Sequence, residues 1–281
     1  VDWARQRELG FSAVVSLGAA VDVDLGEVLD YLALDPHTDA ILLYAEGFAR
    51  GRKLMSGLRA AARMKPVIVV KAGRQQSAAR AVTSHTGALA GNDLVFDAAL
   101  RRAGAVRVQT LEQLFSTAEL LGRRLQVDGP RLAIVTAAGG LGVLAADRAA
   151  DLGVELARFG PATEAALARL LPAHAARSNP VDVLGDASSQ RIAGALDACL
   201  ADAGVDGVLV MLTPQAMTNP LDAAKRVAEA SSATHKPVLA CFLGGGHMQA
   251  AQFALTHAHV PQFDSPEAAV EAFAALVAHG R

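Results

Sequence analysis

The feature of this sequence that most restricts its fold is an internal repeat of strand and helix patterns. Residues 39–47 (DAILLYAEG) parallel residues 206–214 (DGVLVMLTP), and residues 65–70 (KPVIVV) parallel residues 236–241 (KPVLAC). Apolar runs that alternate with helical periodicity are typical of parallel βαβ units, whose strands are buried on both faces. A duplicated unit of this kind predicts an α/β fold with two flavodoxin-like, doubly wound parallel sheets.

The periodicity also predicts the individual elements and a domain boundary. We expect strands at residues 13–16, 40–44, 67–70, 132–135, 207–212 and 238–242, with short strands near Val106 and Val260. Helices are predicted at residues 27–34, 50–63, 94–103 and 111–121. A polar join at residues 122–130 divides the chain into a first domain, residues 1–126, and a second domain, residues 127–281.

The two repeats begin differently. The second starts with the strand at residues 132–135, a glycine loop and a helix that ends near Gly153, whereas the first starts with a helix end at Gly10. A glycine after the last helical residue is a common helix stop. By comparison of the repeats, we expect the first strand and glycine loop of the first domain to lie upstream of Val1, in a longer polypeptide.

Composition argues against several classes of function. The chain has 26 Lys and Arg against 28 Asp and Glu and no basic block, so no nucleic-acid partner and no anionic membrane partner are expected. No apolar run approaches the ~18 residues of a membrane-spanning helix. No secretory leader is recognised either, and a cytoplasmic location is expected. The two cysteines, Cys199 and Cys241, lie in apolar stretches and are interpreted as buried hydrophobic residues.

A loop of small and polar residues holds the first candidate for a functional side chain. The run SHTGALAG at residues 84–91 contains Ser84, His85, Thr86 and Gly87 and follows a predicted strand. Open α/β folds bind ligands at this carboxyl edge of the sheet, and small residues let a phosphate approach the backbone. His85 is suited to act as nucleophile, base or ligand, and a loop histidine with a local hydrogen bond is the structural alternative.

A glycine turn after the strand at residues 132–135 is the second candidate. Residues 136–142 read TAAGGLG and open a helix, so the backbone N–H groups of Gly139, Gly140 and Leu141 are predicted to bind an anion. Residues 140–145 also fit the dinucleotide pattern GxGxxG/A, although the next predicted strand does not end in an acidic residue. Phosphate binding, a structural tight turn and NAD binding are the three interpretations.

Acidic residues in two further loops are also candidates for site residues. Glu46 follows the strand at residues 40–44, where it either fixes the tautomer or the charge of a histidine or is simply solvated. Residues 178–187 include Asn179, Asp182 and Asp186, which fit a turn with Asp186 as a helix cap better than they fit an Mg²⁺ site. The remaining histidines lack ligand spacing, so no metal site is predicted.

Taken together, these motifs resemble the NDP-forming acyl-CoA synthetases, the family of ADP-forming acetate–CoA ligase and succinyl-CoA synthetase. The run at residues 84–91 is similar to the phosphohistidine loop of that family, and Glu46 in YAEG is similar to the acid that hydrogen-bonds the histidine. Residues 138–142 resemble the glycine turn of a "power helix" whose N-terminus binds the phosphorylated histidine. Residues 179–185 also look like a family segment, and the resemblance runs over nearly the whole chain.

The resemblance implies an acid–thiol ligase in which His85 relays a phosphoryl group between an acyl phosphate and ADP or ATP. It implies CoA, ATP or ADP and Mg²⁺ as cofactors, bound mostly by a CoA-binding Rossmann domain and an ATP-grasp domain that are not found in this chain. None of these cofactors is expected to bind this chain tightly, and the isolated chain is expected not to form acyl-CoA. The family resemblance also implies a homo-oligomer.

Two alternative functions stay open from the sequence. The first is the regulatory, ligase-like half of a protein lysine acetyltransferase, joined to an acetyltransferase domain; the presence of His85 favours chemistry over this alternative. The second is a nucleotide-binding oxidoreductase domain that uses the glycines at residues 140–145. The missing acidic residue at the end of the next strand argues against the oxidoreductase.

Overall fold

Two compact units, Val1–Arg124 and Leu125–Arg281, make up the chain. The computed structural model describes residues 4, 9–18, 22–46, 51–74, 92–123, 125 and 127–280. In both units buried parallel strands alternate with helices. This arrangement confirms the α/β class predicted from the repeat.

The first unit is built on a three-stranded parallel sheet of order β1-β2-β3. Its strands are β1 (Ile41–Ala45), β2 (Val67–Lys71) and β3 (Val106–Val108), and its helices are α1 (Leu25–Leu34), α2 (Gly51–Ala62), α3 (Asp93–Ala103) and α4 (Leu111–Gly122). One face of the sheet packs its alternate side chains, such as Ile41 and Val69, against leucines of α1, α2 and α3. All strands run in one direction, so their carboxyl ends share one edge.

Helices α1 and α2 cross in backbone contact at two glycines. A Cβ on Gly57 would lie 2.8 Å from the carbonyl oxygen of Gly26, and a Cβ on Gly26 would lie 2.9 Å from the carbonyl oxygen of Lys53. Lys53 Nζ also lies 3.2 Å from the helix-capping Asp24 and 2.8 Å from Glu27. Close backbone approach and this ion-pair network hold α1 and α2 together.

The second unit has a five-stranded parallel sheet with β5-β4-β7-β8 as its main order. Its strands are β4 (Arg131–Thr136), β5 (Glu155–Leu156), β6 (Val181–Asp182), β7 (Gly207–Leu212) and β8 (Val238–Phe242). The helices are α5 (Gly139–Leu152), α6 (Pro161–Leu170), α7 (Ser189–Leu200), α8 (Pro220–Ser232), α9 (Gln249–His257) and α10 (Pro266–Gly280). Strands β7 and β8 are buried along their whole length.

Asn179 completes the outer side of β4, where two short strands leave a gap. Strand β5 pairs with the start of β4, and β6 pairs with its end. Between them the Asn179 Oδ1 accepts a hydrogen bond from the Ile134 N–H at 2.9 Å, and its Nδ2 donates to the Leu132 carbonyl at 2.8 Å. The side chain therefore takes the place of a missing strand residue and satisfies buried backbone groups.

The predicted repeat appears in the structure as the same strand register and the same lysine contacts. Ile41 lies opposite Val67 in the first unit, as Val208 lies opposite Val238 in the second. The lysine before β2 donates to two backbone carbonyls at the C-terminus of α1, the helix that precedes β1, and the lysine before β8 does the same at the C-terminus of α7, the helix that precedes β7. Carbonyls at a helix C-terminus lack partners within the helix. The pairs are Lys65 with Leu32 and Asp35, and Lys236 with Leu200 and Asp202.

Two short predicted strands are wrong. Residues 13–16 are exposed and have no strand structure. The corresponding segment of the second unit is β5, which is a strand because it pairs with β4. The described residues of the first unit include no strand that corresponds to β4, so residues 13–16 have no such partner. Near Val260, the backbone makes only a single bridge, between Gln262 and Ala240.

None of the helices in the described ranges combines the length and the apolar character that crossing a bilayer requires.

Candidate functional site

Glu46 occupies the carboxyl edge of the first sheet. It follows β1 directly, and its Oε2 atom is buried and accepts no hydrogen bond from any residue that the structure describes. Buried carboxylate oxygens in proteins are almost always hydrogen-bonded. Glu46 is therefore available to accept a hydrogen bond from an incoming N–H or O–H group at this edge.

The candidate nucleophile His85 lies outside the described residues, as do Ser84, Thr86 and Gly87. The described chain stops at Arg74, after β2, and resumes at Asn92, whose Oδ1 caps α3 by accepting from the Leu94 N–H at 2.9 Å. The segment that carries His85 thus connects the carboxyl end of β2 to the N-terminus of α3. Both ends lie at the edge of the sheet that holds Glu46, and a contact between His85 and Glu46 stays a prediction.

Helix α3 is fixed to the sheet by a charged cluster around Arg107 of β3. The Arg107 guanidinium lies 2.6 Å from Asp93 and 3.2 Å from Asp97, and its Cζ lies 5.7 Å from the centre of the Phe96 ring. Lys71, the last residue of β2, places its Nζ 5.7 Å from the same ring. The edge of the first sheet therefore carries two cations and an aromatic ring.

The N-terminus of α5 forms the corresponding edge of the second sheet. Its N-cap residue, Ala138, has no capping side chain. The N–H groups of Gly139 and Gly140 donate to no group in the described part of the chain, whereas the Leu141 N–H donates to the Ala138 carbonyl at 3.0 Å. Of the three amides predicted to bind an anion, those of the two glycines are free to do so.

Asp182 is a neighbour of this helix end that the sequence did not predict. Its Oδ1 accepts from the Leu184 N–H at 2.9 Å, and a Cβ on Gly139 would lie 2.9 Å from its Oδ2. Residue 139 must therefore be small to leave room for this carboxylate. Asp182 reaches α5 because it ends strand β6, which follows Asn179-Pro180 and pairs with the end of β4.

The loop at residues 178–187 is organised by turns and caps, in agreement with the favoured interpretation. Its polar groups point to separate partners: Asn179 to β4, Asp182 to the Leu184 amide, and Asp186 to Arg191 at 2.7 Å. The prediction that Asp186 caps α7 is wrong, because Ser188 Oγ accepts from the Arg191 N–H at 3.2 Å. Among the described residues no three histidine, cysteine or acidic side chains form a metal-binding group.

Both cysteine side chains are fully buried, and their thiols are expected to be unreactive. Burial raises the pKa of Cys199 to about 12 and the pKa of Cys241 to about 12. A thiol with such a pKa is protonated at neutral pH and is a poor nucleophile. The interpretation of the cysteines as small hydrophobic residues is confirmed for both positions.

Two family models match this chain. One, described as a succinyl-CoA ligase like flavodoxin domain, matches residues 1–121. The other, described as a ligase-CoA domain, matches residues 132–280.

The chain is also similar to individual ligases from archaea. It is 41% identical over 276 residues to acetate–CoA ligase (ADP-forming) I of Archaeoglobus fulgidus, covering 98% of this chain and 39% of that protein. It is 34% identical to the alpha subunit of acetate–CoA ligase (ADP-forming) I of Pyrococcus furiosus, covering 98% of this chain and 60% of that subunit. The chain therefore spans between 39% and 60% of the length of these curated relatives.

A solved structure has the same fold over the whole chain. The dinucleotide-forming acetyl-coenzyme A synthetase 1 of Ca. Korarchaeum cryptofilum, in complex with phosphate and ADP, superposes with a TM-score of 0.92 at 31% identity. The match covers 100% of this chain and 61% of that one.

Proposed function

Because the chain belongs to the family of NDP-forming acyl-CoA synthetases, we propose that it relays a phosphoryl group through His85 between an acyl phosphate and ADP. Within the structure, the proposal rests above all on the buried Oε2 of Glu46, which has no hydrogen-bond partner in the described part of the chain. This atom lies at the edge of the sheet where the segment that carries His85 begins and ends. A carboxylate so placed is suited to accept the N–H of a histidine and to leave the other ring nitrogen free as a nucleophile.

The proposed chemistry has two phosphoryl transfers. In the first, the free imidazole nitrogen attacks the phosphorus of the acyl phosphate, the P–O bond to the acyl group breaks, and the carboxylic acid leaves as its anion. In the second, a terminal oxygen of ADP attacks the phosphohistidine and the P–N bond breaks to give ATP. Glu46 stabilises the positive charge that develops on the ring during the first transfer.

Groups that bind the phosphoryl oxygens form the second part of the proposal. The free amides of Gly139 and Gly140 at the start of α5 are suited to bind anionic oxygens, and the helix dipole adds to that attraction. We assign Ser84, Thr86 and Gly87 the same role through their hydroxyl and amide groups.

The rest of the reaction is assigned to parts of the enzyme beyond this chain. We infer that CoA, ADP or ATP and Mg²⁺ are bound mostly by a CoA-binding domain and an ATP-grasp domain, on the same polypeptide or on a partner subunit. The relatives support this, because the chain spans between 39% and 60% of their length and one of them is named as an alpha subunit. A homo-oligomeric assembly belongs to the same proposal.

Phosphorylation of His85 tests the proposal. The full-length polypeptide, with its partner domains or subunits present, is incubated either with radiolabelled ATP and Mg²⁺ or with acetyl-CoA and labelled phosphate. We expect a protein-bound label that is lost in acid and stable in base, as a phosphoramidate is, and that is absent from His85→Ala.

The matched control is His37→Ala, which removes an exposed histidine of the same unit. This variant is expected to take up the label like the wild type. Undiminished labelling of His85→Ala would contradict the proposed relay.

A further inference from the structure

Lys71 is a buried lysine that forms no ion pair with any residue that the structure describes. The residue is 3% exposed, and its Nζ donates a single long hydrogen bond, of 3.5 Å, to the Ala72 carbonyl. The same Nζ lies 5.7 Å from the centre of the Phe96 ring. An ammonium group has three N–H donors, and a buried charge is costly unless it is paired. Lys71 is thus under-satisfied in the structure.

The nearby acidic side chains do not supply the missing counter-charge. Asp93 and Asp97 of α3 both pair with Arg107, at 2.6 and 3.2 Å. Among the ion pairs formed by the described residues, none includes Lys71. The carboxylates of α3 therefore pair with arginine, and no acidic side chain in the described ranges pairs with Lys71.

The second unit shows that the fold itself does not require a lysine at this position. In the shared register of the two sheets, Lys71 at the end of β2 corresponds to Phe242 at the end of β8, which is fully buried. The helix residue beside it changes as well, since Phe96 of α3 corresponds to the small, buried Ala251 of α9. The second unit fills this place with an apolar side chain, whereas the first unit keeps a charge there.

The position of Lys71 points to the ligand that this charge serves. Ala45 pairs with Lys71 across the sheet, so Glu46 and Lys71 lie at the same edge on neighbouring strands. Both are under-satisfied and yet are not paired with each other, since Oε2 of Glu46 has no hydrogen-bond partner among the described residues. A cation next to a hydrogen-bond acceptor suits a group that brings both an anion and an N–H or O–H donor.

We propose that Lys71 is an anion-binding residue whose ligand is a phosphate group, held by its ammonium at the carboxyl edge of the first sheet. The inference deepens the proposed function, on which it rests for the source of the phosphate. A phosphate dianion supplies the acceptor oxygens that the free N–H donors of Lys71 lack. The same chemistry applies to inorganic phosphate, to an acyl phosphate and to a phosphorylated histidine.

Phosphate binding in solution tests this role without any turnover. The full-length polypeptide, with its partner domains or subunits present, is titrated by calorimetry with inorganic phosphate in one arm and with acetyl phosphate in the other. Lys71→Met, which keeps the length but removes the charge, is expected to weaken binding by about tenfold or more, the equivalent of a lost charge-assisted hydrogen bond. Lys71→Arg is expected to stay within about threefold of the wild type, and the exposed-site control Lys225→Met is expected to bind like the wild type.

The affinities of Lys71→Met for the two ligands decide whether Lys71 binds phosphate and in which form. Loss of both ligands in Lys71→Met supports a site for the phosphoryl group in either form, and loss of only one identifies the form that is bound. Unchanged affinity for both, or no binding by the wild type in either arm, overturns the proposal. A separate result would contradict the proposed relay, namely phosphate labelling of the protein that does not depend on His85.

A measurement on the wild type covers the case in which Lys71→Met does not fold. The side-chain ammonium resonance of Lys71 is assigned in a ¹⁵N spectrum by its disappearance in Lys71→Arg. Saturation with phosphate is expected to shift this resonance more than the resonance of Lys225. An unmoved Lys71 resonance overturns the proposal in the same way.

Discussion

At the scale of single residues, the sequence located Glu46 at the edge of the first sheet, but it did not show the surroundings of two other charged residues, one in each unit. Glu46 could be placed because it directly follows an apolar run, and chain order alone puts such a residue at the carboxyl edge. Lys71 and Asp182 could not be predicted, because their significance comes from contacts across strands. Lys71 is unusual only because the acids of α3 pair with Arg107, and Asp182 matters only because β6 pairs with the end of β4.

The cysteines give a prediction at this scale. We expect neither Cys199 nor Cys241 to react with iodoacetamide in the native protein near neutral pH, because each thiol is buried and its pKa is raised to about 12. After unfolding in urea, both are expected to react, as mass spectrometry of the alkylated protein would show. Rapid modification of either thiol in the native state would contradict the assignment of both to the core.

At the scale of elements, periodicity predicted the buried strands closely and the edges poorly. Strands β7 and β8 match their predicted bounds because they are apolar along their whole length. The strand predicted at residues 13–16 failed, because a strand needs a hydrogen-bonded partner and the periodicity of one segment does not show whether one is available. Asn179 carries a contact that no local pattern reveals, since its amide replaces part of a strand.

The crossing of α1 and α2 depends on Gly57. We expect Gly57→Ala to destabilise the first unit by about 1–3 kcal/mol, because the added methyl would lie 2.8 Å from the Gly26 carbonyl oxygen and force the helices apart. Hydrogen exchange read by mass spectrometry should show faster exchange in both helices. Gly51→Ala in the same helix is the control, since a Cβ there meets nothing within 4 Å, and equal exchange in the two variants would contradict the packing argument.

The join between β4 and β7 gives a prediction of pH dependence. Asp206 accepts from the Arg131 backbone N–H at 2.9 Å and pairs with its guanidinium at 2.6 Å. The hydrogen bond from the Arg131 side chain is the main cause of the lowered pKa of Asp206. A lowered folded-state pKa gives stability that is present in full above the unfolded value of about 3.9 and is lost as the pH falls through the folded value.

We therefore expect Asp206→Asn to cost about 1–3 kcal/mol of stability at neutral pH and progressively less as the pH falls below about 4. Urea unfolding of the wild type and the variant, followed by circular dichroism at several pH values, measures the difference. A difference that stays constant from neutral pH to about pH 3 would show that the ionised carboxylate is not what stabilises this join.

At the scale of the whole molecule, the internal repeat made the fold predictable. The residues of the proposed phosphoryl site are among those at which the two units differ. The two units share a strand register and a lysine that donates to the C-terminus of α1 in the first unit and of α7 in the second. They differ at the carboxyl edge, where Glu46 and Lys71 of the first unit correspond to Thr213 and Phe242 of the second. Glu46 and Lys71 thus both belong to the unit that carries His85, in agreement with the proposed phosphoryl site.

The discharge of the phosphorylated enzyme tests the central claim most directly. The full-length polypeptide, with its partner domains or subunits present, is labelled with acetyl-CoA and radioactive phosphate, freed of small molecules and then mixed with ADP and Mg²⁺. Relay through His85 predicts that the protein loses its label while an equal amount of labelled ATP appears, and that His85→Ala yields neither the labelled protein nor the ATP. Label that stays on the protein after ADP is added, or labelled ATP formed at the wild-type level by His85→Ala, would contradict the account.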